Sequence, residues 1–233
     1  MIFNHPQNSL EKYMIPKTIH YIWLGKNPLP PTIKKCIVSW KKILPEYEIK
    51  CWDESNLNIT DPTYLKTLAA KKWAFASDIA RLHVLYNHGG IYLDTDMEVV
   101  KSLDPLLDTD MFIGLEDEKH IAAGIIGCTA KNAFIKDSLE AVTRSLSTDT
   151  IPIPQVMTKV YETHKDKYTF DHKIYSKEFF YPYNPFASEI KILFYSDVVE
   201  NTYAIHHWGH SWKMGLIEKI FQKIKRLLKK TSS

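Results

Sequence analysis

AFASDIARLHVLYNHGGIYLDTDMEV, residues 74–99, is the stretch on which the fold reading turns. Its first half predicts a helix. Phe75, Ile79, Leu82 and Tyr86 recur at helical spacing and form one apolar stripe. Gly89 and Gly90 supply the stop and permit a tight helix-to-strand reversal. Ile91-Tyr92-Leu93 then reads as a short buried strand ending in Asp94-Thr95-Asp96. On a strand, residues i and i+2 share a face, so the two carboxylates are expected to converge. Paired hard oxygen ligands suit magnesium or manganese, ions that also hold substrate phosphates. A solvated acidic loop is the ordinary alternative for an isolated D-x-D. Asp78 and Arg81 sit three residues apart on the preceding helix. A charged pair on a helix apolar over much of its circumference needs partners, and a polar cleft supplies them.

Working outward, residues 15–24, IPKTIHYIWL, read as a first buried strand. A helix begins near Pro31, carries the stripe Ile33, Ile37, Trp40 and Leu44, and is stopped by Pro45. Residues 47–52 alternate as a second strand, and 54–70 read as loop and short helix. Downstream, 111–115 reads as a strand, 122–128 as strand plus tight turn, and 131–146 and 155–163 as helices. The aromatic stretch 168–187, with FFYPYNPF at its centre, reads as irregular. Residues 191–195 and 203–207 read as short strands, and 213–230 as a final helix. Strands alternating with helices predict α/β layers, and open sheets of that kind bind ligands at the carboxyl ends of their strands. Asp94 and Asp96 fall at such an end.

The chain has 233 residues, enough for one well-buried core. Apolar residues make up 45% and charged residues 24%, which excludes disordered and collagen-like chains. No apolar run reaches the roughly 20 residues of a membrane span. The net charge of +3 is unevenly placed. From Ser211 to Ser233 seven basic residues face one acid, Glu218, so that segment carries +6 and the rest is left at −3. The basicity therefore belongs to the tail, and no nucleic-acid-binding module accompanies it. Cys36, Cys51 and Cys128 are too scattered for a zinc or redox pair, and a reducing compartment is expected. The first residues lack the basic and apolar regions of a secretory leader.

Two further constellations carry chemistry. Trp23 at the end of the first strand offers a flat face on which a base stacks, worth roughly 1–3 kcal/mol, although a tryptophan there also reads as core. His206, His207, Trp208, His210, Ser211 and Trp212 crowd seven positions. Such polar rings among aromatics suggest a site, and an imidazole can serve as a third metal ligand.

The blocks IPKTIHYIWL, AFASDIARLHVLYNHGGIYLDTDMEV and AIHHWGHSW (204–212) together resemble glycosyltransferase family 32. That family includes bacterial capsule-sugar transferases and yeast Golgi α-mannosyltransferases, with clostridial glucosylating toxins as distant relatives. The resemblance implies a GT-A type nucleotide-sugar-binding fold, an α/β architecture with a mixed, mostly parallel central sheet flanked by helices. It also implies a retaining transfer of a hexose or N-acetylhexosamine from a nucleotide-diphosphate sugar, with Mn2+ or Mg2+. By the same resemblance, Trp23 lies at the base with the backbone of Ile22 or Leu24 nearby. Asp78 and Arg81 touch the sugar and its surroundings as catalytic residues, with Arg81 and the metal expected to stabilise the leaving diphosphate, and Tyr92 lies in the donor pocket. Asp94 lies near ribose, sugar or metal, and Asp96 is the main metal ligand. One of His206 and His207 faces the metal, with His207 preferred, and Ser211 and Trp212 contact the leaving phosphate. UDP-galactose, UDP-glucose and UDP-N-acetylglucosamine are the favoured donors, and GDP-mannose follows from the fungal relatives. The chain departs from the family around residues 121–124 and 153–155, so the acceptor side, where Glu116, Asp117 and His120 are candidates, is open. A lipid-linked capsular or exopolysaccharide precursor is the expected glycan acceptor.

These readings place a transferase domain over residues 1–212 and a basic amphipathic helix over 213–233. Ile217, Ile220, Phe221, Ile224, Leu227 and Leu228 share the apolar face of that helix. The expectation is a cytoplasmic protein held peripherally on the anionic inner face of the cell membrane; a terminal helix docked on the domain is the alternative. Rival functions are a non-catalytic nucleotide-sugar-binding module, a membrane-surface module and a nucleotide-sugar hydrolase.

Overall fold

The computed structural model describes residues 15–148, 151–186 and 192–209. The chain opens with strand β1 (Thr18–Ile22), helix α1 (Pro31–Ile43) and strand β2 (Glu48–Trp52). β1 and β2 pair in parallel, with Thr18 opposite Glu48 and Ile22 opposite Trp52. Pro31 starts α1 because its missing N–H falls where no helical partner exists. Trp40 is fully buried beneath the helix and donates its indole N–H to the Met97 carbonyl at 2.7 Å. Helix α2 (Pro62–Ala69) is capped by Asp61, whose carboxylate accepts from the Thr63 and Tyr64 N–H groups.

Helix α3 (Trp73–His88) forms where expected, but its buried face differs from the Phe75–Tyr86 stripe. Ala76, Ile79, Ala80, Leu82, Val84 and Leu85 are buried together with Asp78 and Arg81, while Phe75 and Tyr86 are half-buried. Small Ala76 and Ala80 let the helix lie close on the sheet, which moves the contact line off the large side chains. Gly89 (φ +66°) and Gly90 (φ +87°) make the reversal into β3 (Gly90–Leu93). A Cβ on Gly90 would stand 2.7 Å from the Thr18 carbonyl oxygen, so close approach to β1 also requires glycine there.

The rest of the sheet comes from β5 (Met111–Leu115), β6 (Ile121–Cys128) and β7 (His172–Tyr175). The six-stranded order is β2-β1-β3-β6-β5-β7. All the other neighbouring pairs are parallel, and β6 is antiparallel to both β3 and β5. Residues 122–128 thus belong to one uninterrupted eight-residue strand rather than strand plus turn. β7 lies in the stretch read as irregular: its aromatic residues masked a short edge strand. A separate ribbon joins β4 (Met97–Val99) to β8 (Ala204–His206) in antiparallel register. No strand occupies the described residues 192–195, where a short 3-10 turn, Tyr195–Asp197, begins instead.

The sheet is covered on both faces. α3, α4 (Ala133–Thr148) and α5 (Ile153–His164) pack on one side around Ile79, Leu82, Tyr92, Ile126 and Phe134. α1 and the β4–β8 ribbon close the other, around Ile19, Trp40, Leu93, Phe112 and Ile125. The alternation of Ile91, Tyr92 and Leu93 between the two cores is the two-residue strand period. No described helix is long and apolar enough to cross a membrane. The 213–233 helix, and the boundary before it, lie outside the described residues.

Candidate active site

β1 and β3 run side by side in parallel, so Trp23 and Asp94 leave the sheet at the same edge. Asp94, Thr95 and Asp96 do not extend β3. They form the tight connection to β4, closed by the Met97 N–H donating to the Asp94 carbonyl at 2.9 Å. The carboxylates therefore meet through a turn rather than through the pleat of a strand. β4 then pairs with β8, with Met97 opposite His206, and this brings in a residue 110 positions away. Asp94, Asp96 and His206 each offer a ligand atom, and these atoms lie within 4.8 Å of one another.

The three are held differently. The Asp96 carboxylate takes His206 Nε2 at 3.1 Å on one oxygen and the Gly209 N–H on the other. Burial works to raise its pKa, but the imidazole and that N–H prevail and hold Asp96 below the usual carboxylate range. Burial likewise works to lower His206, and the Asp96 charge overrides it and raises the imidazole. His206 Nδ1 is buried with no hydrogen-bond partner among the described residues. The Tyr181 ring meets the imidazole edge-on at 5.6 Å, and Trp208 packs on it at 4.3 Å.

Asp94 rests on a buried polar floor. The Tyr92 hydroxyl donates to it at 2.8 Å, and Arg81 Nη1 lies 3.2 Å away. The same guanidinium reaches Asp78 at 3.0 Å, donates to the Ala123 carbonyl at 2.8 Å and covers the Tyr92 ring at 4.7 Å. Arg81 is only 7% exposed and its charge is engaged inside the protein by Asp78 and Asp94, rather than turned out to a leaving diphosphate as expected. Burial pushes the Asp78 carboxyl up to about 7, reinforced by the Asp94 charge and opposed by Arg81. Close packing completes the floor. A Cβ on Gly124 would sit 2.9 Å from the Tyr181 hydroxyl and 3.1 Å from Asp94 Oδ2.

Trp23 is half-buried beside an open cleft of about 450 Å³ lined also by Lys26, Asn27, Asp53, Glu54 and Ser55. Its indole N–H donates to the Asn27 carbonyl at 2.6 Å, which fixes the ring. Glu54 accepts from the Gly25 N–H at 2.8 Å, and Asp53 is spent on the Ser55 turn. Ile22 and Leu24 point into the core, leaving only their backbone near the cleft.

The structure puts His206, not His207, beside the two aspartates. Neighbouring positions on a strand point to opposite sides, and His207 turns out to Glu98, 2.7 Å away, with its side chain 42% exposed. Ser211, Trp212 and His210 lie outside the described residues. Glu116 stands at the end of β5, and its carboxyl is pushed up to about 7 by burial and by Asp117. His120 is bound to Asp117 at 2.7 Å in the same turn. Sequence reading missed Tyr181 and Gly124. The signal for Tyr181 was present in FFYPYNPF, but nothing in spacing shows that residue 181 lies under residue 206.

Two carboxylates and an imidazole whose ligand atoms lie this close are a donor set of hard oxygens and one nitrogen. It fits a divalent cation such as magnesium or manganese, with His206 Nε2, the ring nitrogen that faces Asp96, as the nitrogen donor.

Residues 30–113 match the model of the glycosyltransferase sugar-binding region containing the DXD motif. The chain is 28% identical over 139 residues to inositol phosphoceramide mannosyltransferase 3 of Schizosaccharomyces pombe, covering 58% of this chain and 39% of that protein. It is 33% identical over 125 residues to an uncharacterized glycosyltransferase of Acanthamoeba polyphaga mimivirus, covering 49% and 50%. The chain thus spans half or less of the length of these two curated relatives. Among solved structures, the PaToxG glycosyltransferase superposes with a TM-score of 0.56 at 22% identity, over 65% of this chain and 69% of that one. The likeness is one of fold, and the fold is that of the GT-A glycosyltransferases.

Proposed function

We propose, from the premise that residues 30–113 are the DXD-containing sugar-binding region of a glycosyltransferase of the family-32 type, that this protein transfers a sugar from a nucleotide-diphosphate donor to a hydroxyl of a glycan or glycolipid. The observation that carries the reading is the convergence of Asp94, Asp96 and His206 at the sheet edge shared with the Trp23 cleft. A nucleotide with its base against Trp23 directs its diphosphate towards that trio. A divalent cation held by Asp96, Asp94 and His206 would supply positive charge to the leaving diphosphate. Asp96 and His206 are preorganised for this by their mutual contact and by Gly209. Arg81 acts as a positioning residue, since its guanidinium fixes Asp94 from below. Asp78 holds Arg81 in turn and shapes the polar floor beneath the sugar.

Retention of anomeric configuration is part of the proposal, with the acceptor hydroxyl approaching from the face that the diphosphate leaves. A hexose or N-acetylhexosamine donor fits, with UDP or GDP as the nucleotide. The mannosyltransferase names of the fungal relatives support mannose as a candidate, and their inositol phosphoceramide acceptor supports a lipid-borne one. The +6 tail at residues 211–233 supports attachment to an anionic membrane surface.

The test is nucleotide release from a panel of UDP- and GDP-sugars with manganese present, alongside Asp96→Asn. One donor is expected to turn over, with activity falling at least 100-fold in the variant, in line with loss of a group that stabilises developing charge. Equal turnover by the variant, or no metal-promoted nucleotide binding by the wild type, would refute the assignment.

A further inference from the structure

Eight large apolar side chains are exposed among the described residues, and five of them fall between 186 and 199. They are Phe186 (77% exposed), Ile192 (65%), Phe194 (49%), Tyr195 (95%) and Val199 (44%). Scattered apolar exposure is ordinary, but concentration in one segment is the mark of a contact surface.

The segment around Tyr195 is folded, not frayed. Asp197 accepts from the Phe194 N–H at 2.8 Å, and Val198 N–H donates to the Tyr195 carbonyl at 3.2 Å. The far end is pinned by Thr202, buried and donating to the Glu178 carbonyl, and by Tyr203, stacked on Phe179 with the rings 9° from parallel. Several backbone groups are therefore bonded locally while these side chains project. At the near end, Phe186 packs edge-on against Trp208, which packs on His206 of the metal-ligand trio. Phe186 thus stands at the rim of the candidate active site.

We propose that Phe186, Ile192, Phe194, Tyr195 and Val199 insert into the interfacial layer of an anionic membrane, seating the mouth of the site on the lipid surface. The inference deepens the membrane attachment proposed above and rests on it. Charge selects the occupant. The sequence following Gly209 carries +6, which attracts anionic lipid. Aromatic side chains with an adjoining cationic segment are the composition that interfacial contacts favour. A site seated in this way meets an acceptor whose lipid portion stays in the bilayer.

The experiment is sedimentation of the full chain with phosphatidylcholine vesicles with and without phosphatidylglycerol. Four variants accompany the wild type. One replaces Phe194 and Tyr195 by Ser. A second replaces the exposed apolar residues Val38 and Leu65, elsewhere on the surface, by Ser. A third replaces Lys225, Arg226, Lys229 and Lys230 by Gln. In the fourth, Tyr195→Cys carries an environment-sensitive dye. The Phe194/Tyr195 variant is expected to bind the anionic vesicles about tenfold or more weakly, from the apolar burial it loses, while its nucleotide release from the donor is unchanged. The Val38/Leu65 variant should bind as wild type, and the dye should shift to the blue on anionic vesicles. The tail variant should lose the preference for phosphatidylglycerol. Loss of binding in the tail variant with wild-type binding in the Phe194/Tyr195 variant would overturn the insertion while leaving tail attachment standing. A shift of the wild type to monomer on replacing Phe194 and Tyr195 would overturn it in favour of a second copy. No vesicle binding by the wild type would remove both.

Discussion

Arg81 shows how one side chain organises the site. Its guanidinium joins Asp78 on its own helix, Asp94 after β3 and the Ala123 carbonyl on β6, so three elements share one cation. Removing a buried partner leaves uncompensated charge, typically costing about 3–5 kcal/mol. Arg81→Ala should therefore lower stability at pH 7 by roughly that amount in urea unfolding. Asp78→Asn in the same chain should recover part of the loss, because it removes the carboxylate that Arg81 neutralised. A loss in the double variant equal to the sum of the losses in Arg81→Ala and Asp78→Asn alone would show that the pair is not coupled. The sequence placed Asp78 and Arg81 on one helix face. It did not show that the arginine faces inward to Asp94, because that contact depends on where β3 lies relative to α3.

At the scale of elements, the turn between α3 and β3 is the joint that sets the site. Gly90 has φ +87°, and a Cβ there meets both the Thr18 carbonyl oxygen and the His20 ring within 2.8 Å. Backbone strain alone costs roughly 1–3 kcal/mol at such a position. Gly90→Ala should thus destabilise by more than about 2 kcal/mol and lower donor turnover, since β3 must move off β1 and carry Asp94 with it. A variant with wild-type melting temperature would contradict this account of the joint. This turn was legible because two adjacent glycines after a helical pattern have few other uses. The β4–β8 ribbon was not. Met97–Val99 is three residues long, too short for periodicity, and its pairing partner lies over a hundred positions away. The same pairing determines that His206 rather than His207 joins the aspartates, a choice that turns on a single residue of register.

Across the whole molecule, the pH response divides between groups of opposite sign. His20 is buried, accepts from the Trp52 indole N–H at Nδ1 (3.0 Å) and lies 3.0 Å from the Gly89 carbonyl through Nε2. Burial pushes its pKa down to about 4. The unfolded chain binds the proton near 6.5 and the folded chain does not, so His20 stabilises above pH 6.5 and that contribution drains away as pH falls towards 4. The whole effect amounts to about 3 kcal/mol. Asp78 and Glu116, both pushed up to about 7, act the other way: the folded state holds their protons more tightly, and stability falls as pH rises from about 4 to 7. The net curve is a partial cancellation. His20→Gln keeps a donor and an acceptor at the site without the titration. The difference between the wild-type and variant unfolding free energies should grow in the variant's favour from pH 7 down to pH 4.5. A difference independent of pH would place the His20 pKa near its ordinary value.

What the sequence by itself determined is local. The helix of residues 73–88, the glycine reversal, the buried first strand and the acidic pair follow from spacing and backbone preference acting within a few residues, and the motif likeness rests on those same blocks. Tertiary structure alone decided which atoms meet: His206 with Asp96, Arg81 with Asp94, Tyr181 beneath Gly124, and the edge strand β7 against β5. Those contacts join positions from 13 to over a hundred residues apart, and side-chain pattern along one strand or helix carries no information about its distant partner. The site is assembled by strand register and close packing, and both are properties of the folded chain as a whole.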